Sequence, residues 1–328
     1  MTNNMNGIYE ASMSPEYQEQ VLKIYGNIRK SGNLNFTEQT VTDLIRGAYD
    51  MHVHAGPDDF GKRLVTEADV AKDACDNGMG GVVFKLQGAI GSCRETFVQE
   101  IADRYADENG KERIRVFSGV VLNKNVGGIN PYAVEASLKM GGKYVWTPSR
   151  DSAHQKRVEK QDPAAGIEVV TPGGGDLIPE LYEIFKMIAE KDAILGISHQ
   201  STRERLMMVK AAKDAGVRRI VIEHPELNVT RLTLEQMRMF ADMGVYLDLC
   251  FVSCVPNFLN PYVNPQDIYD IITTVGTDHI VLGTDLTQVQ TNDPVTGFRM
   301  FIKILLSIGI GEEDVRTMCV ANPRQVLF

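Results

Sequence analysis

The chain predicts a closed (β/α)8 barrel with an N-terminal helical extension, and three observations carry that prediction. From Ala48 onward, short β-branched runs bounded by glycine alternate with amphipathic stretches, the pattern of parallel strands joined by crossover helices. Eight such strand–helix units follow one another, and an eight-fold barrel typically takes about 250 residues. The ends of the runs also carry a coherent set of polar residues. In a barrel all eight C-terminal strand ends meet on one face, whereas an open doubly wound sheet spreads them along an edge.

Residues 1–46 form the helical extension. Ser14-Pro15-Glu16 starts a helix that runs to Lys30, with proline in its first turn, and Ser31-Gly32-Asn33 stops it. Thr37-Glu38 opens a second short helix through Leu44 and Ile45. The barrel spans 47–328. Its first strand ends in His52-Val53-His54 and breaks at Gly56-Pro57. Thr66 caps a helix over 67–77, which Gly78-Met79-Gly80 ends. Strands two to four cover 81–86, 114–121 and 143–147, with helices over 94–108 and 131–140 between them. An irregular stretch, 148–175, leads to a helix over 177–190. Strands five to eight cover 193–198, 219–223, 245–248 and 279–284, separated by helices over 202–215, 232–243 and 265–275. Helices over 295–307 and 312–319 close the chain.

Composition narrows the function. The 328 residues are 43% hydrophobic and 23% charged, ordinary globular values. A net charge of −9 argues against nucleic-acid and anionic-membrane partners and leaves a small-molecule substrate. No charged N-terminal region precedes an apolar run, and no apolar stretch is long enough to span a bilayer, so a cytoplasmic location is expected. Five scattered cysteines fit reduced thiols.

In a strand, side chains at i and i+2 point the same way, so His52 and His54 project together. The other strand ends carry Lys85, Trp146 and Thr147, His199, His224, Asp248 and Asp285. Four of six histidines are therefore at one end; His279 starts strand eight at the other, and His154 lies in the 148–175 stretch. Neutral imidazoles with a carboxylate bind zinc, manganese or iron(II). Asp248 is placed to orient a histidine through its free N–H. Asp58, after the Gly-Pro break, lines the mouth or caps a turn. The 148–175 stretch is long for a barrel connection, charged at its start and closed by Gly173-Gly174-Gly175, a lid or a subunit contact. Lys85, Arg150 and His154 point to an acidic substrate. The glycines are not followed by Lys-Ser or Lys-Thr, and no G-x-G-x-x-G follows strand one, which excludes the common nucleotide loops.

Taken in order, Asp50-Met-His-Val-His54, Ser198-His199-Gln200, Glu223-His224-Pro225 and Gly283-Thr-Asp285 resemble the amidohydrolase superfamily, and the tail Asn322-Pro-Arg-Gln-Val-Leu-Phe328 resembles its closing segment. The resemblance covers residues 48–328 and implies a metal-dependent hydrolase on a TIM barrel. By it, His52, His54 and Asp285 hold one metal, and His199 and His224 hold a second or complete the first. The implied cofactor is one or two divalent transition metals, zinc foremost, with manganese or iron as alternatives. The implied chemistry is attack by a metal-activated hydroxide on an amide, imide or lactone bond. Asp285 passes the proton, His224 polarises substrate or water, and Lys85, Asp58, Trp146 and His154 are candidate substrate contacts.

One departure bears on the metal count. Many binuclear members carry a carbamylated bridging lysine on strand four, but here that strand ends Val145-Trp146-Thr147-Pro148 and the lysine is Lys85 on strand two. Lys85 is then either a bridging carbamate or an ammonium for a substrate anion. The alternative reaction on the same barrel is metal-dependent decarboxylation of a small carboxylic acid. PHP-type phosphoesterases share the Asp-x-His-x-His start, but Asp285 is followed by Leu-Thr-Gln rather than their closing Asp-x-His. A homo-oligomer is expected from class habit and from the spare N-terminal helices.

Overall fold

A computed structural model describes residues 36–59, 61–254, 265–287 and 291–328. The helix expected over 15–30 lies outside the described residues. The second N-terminal helix is present as α1 (Glu38–Ile45), opened by a reciprocal capping box between Thr37 and Thr40.

Among the described residues, nine strand segments make the eight staves of the barrel. They are β1 (Tyr49–Val53), β2 (Gly81–Phe84), β3 (Arg115–Phe117), β4 (Gly119–Val121), β5 (Tyr144–Trp146), β6 (Ile194–Ile197), β7 (Arg219–Glu223), β8 (Tyr246–Cys250) and β9 (Ile280–Gly283). Every pairing is parallel, in two ladders, β1-β2-β3 and β4 through β9 in sequence order. The expected third strand is thus one stave in two pieces, divided at Ser118. The break comes from side-chain bonds: Ser118 gives its N–H to Glu95 Oε2 (2.8 Å) instead of a neighbouring strand, and its hydroxyl bonds to Phe84 O (2.8 Å). Gly119 then passes so close to β5 that a Cβ would lie 1.9 Å from Tyr144 O. At the closing seam Asp285 donates its N–H to His52 O (2.7 Å) and Thr284 donates its N–H to Asp50 Oδ1 (2.9 Å).

Alternation along the staves separates two apolar layers. Val82 and Phe84, Val120 and Leu122, Ile220 and Ile222, and Ile280 and Leu282 pack outward with the helices. Their neighbours Val83, Val121, Val221 and Val281 join Tyr49, Phe117, Tyr144 and Trp146 in a second cluster, the lumen. The chain's end closes the lumen floor. Val326 and Leu327 belong to its cluster, and the Phe328 ring lies 5.6 Å from Phe117 and 6.2 Å from Tyr49. The helix expected over 312–319 is shorter, α2 (Glu312–Arg316), and widens into a π-turn at Thr317–Ala321 before α3 (Asn322–Leu327). Pro323, which has no N–H to give, sits just after that turn.

The 148–175 stretch is folded rather than irregular. It contains α4 (Ala153–Val158) and a 3-10 turn at Pro163–Ala165, tied by isolated bridges Ser152–Ile167 and Val170–Leu177. Ser152 accepts from Gln155 N–H at the start of α4, the S-x-x-Q spacing of a helix N-terminus. No helix of the described residues is long and apolar enough to cross a membrane.

Candidate metal centre

Continuing the lumen parity by steps of two leads from Val83 to Lys85, from Val221 to Glu223 and from Val281 to Asp285, so the apolar lumen ends in a polar mouth. On β1 the parity has to be broken. Tyr49 and Met51 belong to the lumen, but Val53 packs outward, and the pairing of β1 with β2 slips between Asp50 and Val53. Such an irregularity re-aims side chains, and it brings His52 and His54 together, their ring centroids 5.2 Å apart. His224 and Asp285 hold left-handed backbone, φ 29° and 52°, a strained state for non-glycine residues and one that clusters at functional sites.

The structure brings all five expected donors together. His54 Nε2 lies 2.9 Å from Asp285 Oδ1, His52 Nε2 3.7 Å from the same oxygen, and His199 Nε2 3.3 Å from His224 Nε2. His52, His224 and Asp285 each offer a ligand atom within 4.8 Å of the others.

The opposite nitrogen of every ring is anchored. His52 Nδ1 meets Asp248 Oδ2 at 3.0 Å, His54 Nδ1 meets Lys85 O at 2.7 Å, and His199 Nδ1 meets Gln155 Oε1 at 2.7 Å. Gln155 Nε2 donates to Glu159, which fixes its Oε1 toward the histidine. His224 Nδ1 lies 3.2 Å from Thr230 Oγ1, whose own proton goes to His224 O at 2.5 Å. Each partner accepts, so each Nδ1 carries the hydrogen and each Nε2 presents a lone pair. The contacts among the Nε2 atoms and Asp285 are then acceptor against acceptor, and His52 Nε2 is buried without a hydrogen-bond partner. Buried acceptors that face one another fit a cation between them. The donor set therefore suits a divalent metal.

A family model described as a family of unknown function, DUF6282, matches residues 47–248. The chain belongs to this family. No curated protein matches the DUF6282 chain, but solved barrels do. It is similar to an amidohydrolase from Pseudomonas aeruginosa (15% identity, TM-score 0.58, covering 88% of this chain and 97% of that one). A probable dipeptidase, PvdM, from the same organism matches at 11% identity and TM-score 0.59, over 92% and 98%. A dihydroxybenzoic acid decarboxylase from Polaromonas sp. JS666, solved with bound manganese, matches at 11% and 0.52, over 86% and 97%. What the chain shares with these proteins is the fold, a (β/α)8 barrel.

Electrostatics of the DUF6282 mouth follow from burial and neighbours. Burial pushes His54, His199 and His224 below the usual imidazole range, His224 to about 3, which keeps them neutral and fit to ligate. At His52 burial and Lys85 act downward, but Glu223, Asp285 and Asp248 outweigh them and raise it. Burial raises Glu223, but the Lys85 ammonium beside it overcomes that and holds its carboxyl well below the usual carboxylate range. Burial raises Asp50 to about 7; it accepts from Thr284 N–H and Oγ1 and from His52 N–H, binding β1 to β9.

Lys85 is at the mouth, its Nζ 2.6 Å from Glu223 Oε2, and Ser198 Oγ donates to the same oxygen at 2.5 Å. A carbamate there would set a second anion against Glu223, so the geometry fits the ammonium. Asp248 orients His52 as expected. Three expected contacts lie elsewhere. Trp146 is buried in the lumen and stacks on Tyr144 at 4.5 Å. Asp58 pairs with Arg63 (2.5 Å) and lines a neighbouring cleft. His154 turns away, its Nε2 3.2 Å from Val229 O, in a groove with Arg157, Ser201 and Met207. Sequence reading left out Gln155, Glu223 and Arg63. The S-x-x-Q spacing before α4 and the Glu-His pair at the end of β7 were the available signals.

Proposed function

We propose that this chain is a metal-dependent hydrolase of a small molecule bearing an amide, imide or lactone-type bond. The observation that carries the reading is the set of imidazole Nε2 lone pairs and one carboxylate oxygen that converge at the barrel mouth, every Nδ1 anchored behind them. His52, His54, His224 and Asp285, with His199, would hold the ion. Zinc suits this donor set best, and manganese and iron(II) are also compatible with it. When bound, such an ion supplies Lewis-acid chemistry, acidifying water and polarising a carbonyl.

The chain's own groups do the rest. Asp285, whose carboxylate faces the imidazole Nε2 atoms, takes the proton of the attacking water on a carboxylate oxygen and delivers it to the leaving nitrogen or oxygen. His224, with its Nδ1–H held at Thr230, keeps its Nε2 lone pair aimed where the ion would sit. Lys85 offers its ammonium to negative charge that develops on the substrate, while Glu223 keeps that ammonium in place. The Lys85–Glu223 pair leaves Asp285 as the carboxylate among the converging donors, which favours one ion over two. That same observation supports decarboxylation of a small acid as the second reading.

The test is turnover of metal-loaded protein against a panel of small amides, imides, lactones and carboxylic acids. The hydrolase reading expects a ring-opened or cleaved product and a fall in kcat of about 10²–10⁴-fold in Asp285→Asn. Release of carbon dioxide without hydrolysis would replace it with the decarboxylase.

A further inference from the structure

The cavity over the donors has a volume of about 350 Å³, and among the described residues no apolar side chain lines it. Four cations line the space: Arg63, Lys85, Arg150 and Lys156. Arg63 is paired with Asp58, Lys85 with Glu223 and Arg150 with Asp59. Lys156 is half-buried on α4, and its side chain has no hydrogen bond or ion pair among the described residues. The acids on the same wall are engaged, Asp151 by the Lys124 N–H (2.9 Å) and Glu159 by Gln155 Nε2. Lys156 also follows Gln155, the residue that holds His199, so its backbone is fixed beside the donors.

We propose that the substrate is a small carboxylic acid whose carboxylate pairs with Lys156 Nζ while its reacting group lies at the histidine–aspartate cluster. This rests on reading that cluster as the metal centre of a small-molecule enzyme. A charge-assisted hydrogen bond to an ammonium selects an anion over its neutral amide. The insertion after β5 then sets specificity, and the barrel supplies the chemistry.

The test is calorimetric titration of metal-loaded full-length protein with succinate and succinamide. Succinate is expected to bind better, with succinamide weaker by about tenfold or more. Lys156→Ala should weaken succinate by about tenfold and Lys156→Arg should recover most of it. Succinamide binding as tightly as succinate, or unchanged succinate affinity in Lys156→Ala, overturns the proposal. Metal content of the same samples separates the two claims. Protein that takes up no metal yet binds succinate through Lys156 contradicts the metal reading alone, and loaded protein indifferent to Lys156 contradicts this proposal alone.

Discussion

Each imidazole at the mouth divides its work between two nitrogens, and the anchored one decides whether the other can ligate. Removing Asp248 by Asp248→Ala frees His52 Nδ1, and metal affinity should fall about 10–100-fold, read by competition with a chelator. Lys85 and Glu223 answer to a different rule, since both are buried. Lys85→Met strands the Glu223 charge and should cost about 3–5 kcal/mol in denaturant unfolding, most of it recovered in Lys85→Met/Glu223→Gln. Glu226 gives a pH signature. Burial raises it from 4.5 to about 8, so the folded chain keeps a proton that the unfolded chain has released. Its stabilising contribution is whole below about pH 4.5 and is lost as pH rises through about 8. Glu226→Gln should therefore flatten the fall in Tm over that window, whereas an unchanged slope would remove Glu226 from the account. The donors were legible because strand-end histidines stand out among only six in the chain. Their anchors were less so: Asp248 lies 196 residues from His52, and Gln155 44 from His199, with nothing in the spacing to join them.

Among the elements, β1 and α4 shape the site most. Period-two reading places His52 and His54 on one face, but it does not show that Val53 and Met51 fall on opposite layers; the slip between Asp50 and Val53 depends on how β1 meets β2. The insertion after β5 hid its helix for a related reason. Gln155 does not close a capping box on Ser152 but reaches His199, so the tertiary contact took the residue that would have marked the helix start. Three histidines are anchored by the staves or their immediate exits, and His199 alone by this insertion. Gln155→Ala should thus lower metal affinity about tenfold while helix content is kept, and Gln155→Glu, which retains an acceptor, should restore it. Equal affinities in all three proteins would show that α4 has no hold on the centre.

For the whole molecule, eight alternating units sufficed to read the barrel, because parallel strands buried on both faces leave a continuous apolar signature. The division of the third stave at Ser118 escaped that reading, since it arises from side-chain bonds to Glu95 and Phe84 rather than from local propensity. A centre built from β1, the exits of β6 and β7, and β9 also links distant parts of the chain. Metal binding to the folded state alone should raise Tm, by about 4 kcal/mol of stability when free metal is about a thousand times Kd, and chelation should reverse the gain. The most direct measurement is the metal content of protein loaded with zinc and dialysed, beside His52→Ala and Asp285→Asn. About one equivalent per chain in the wild type and little in either variant is the predicted result. No retained metal in the wild type, or the same content in all three proteins, would contradict the account.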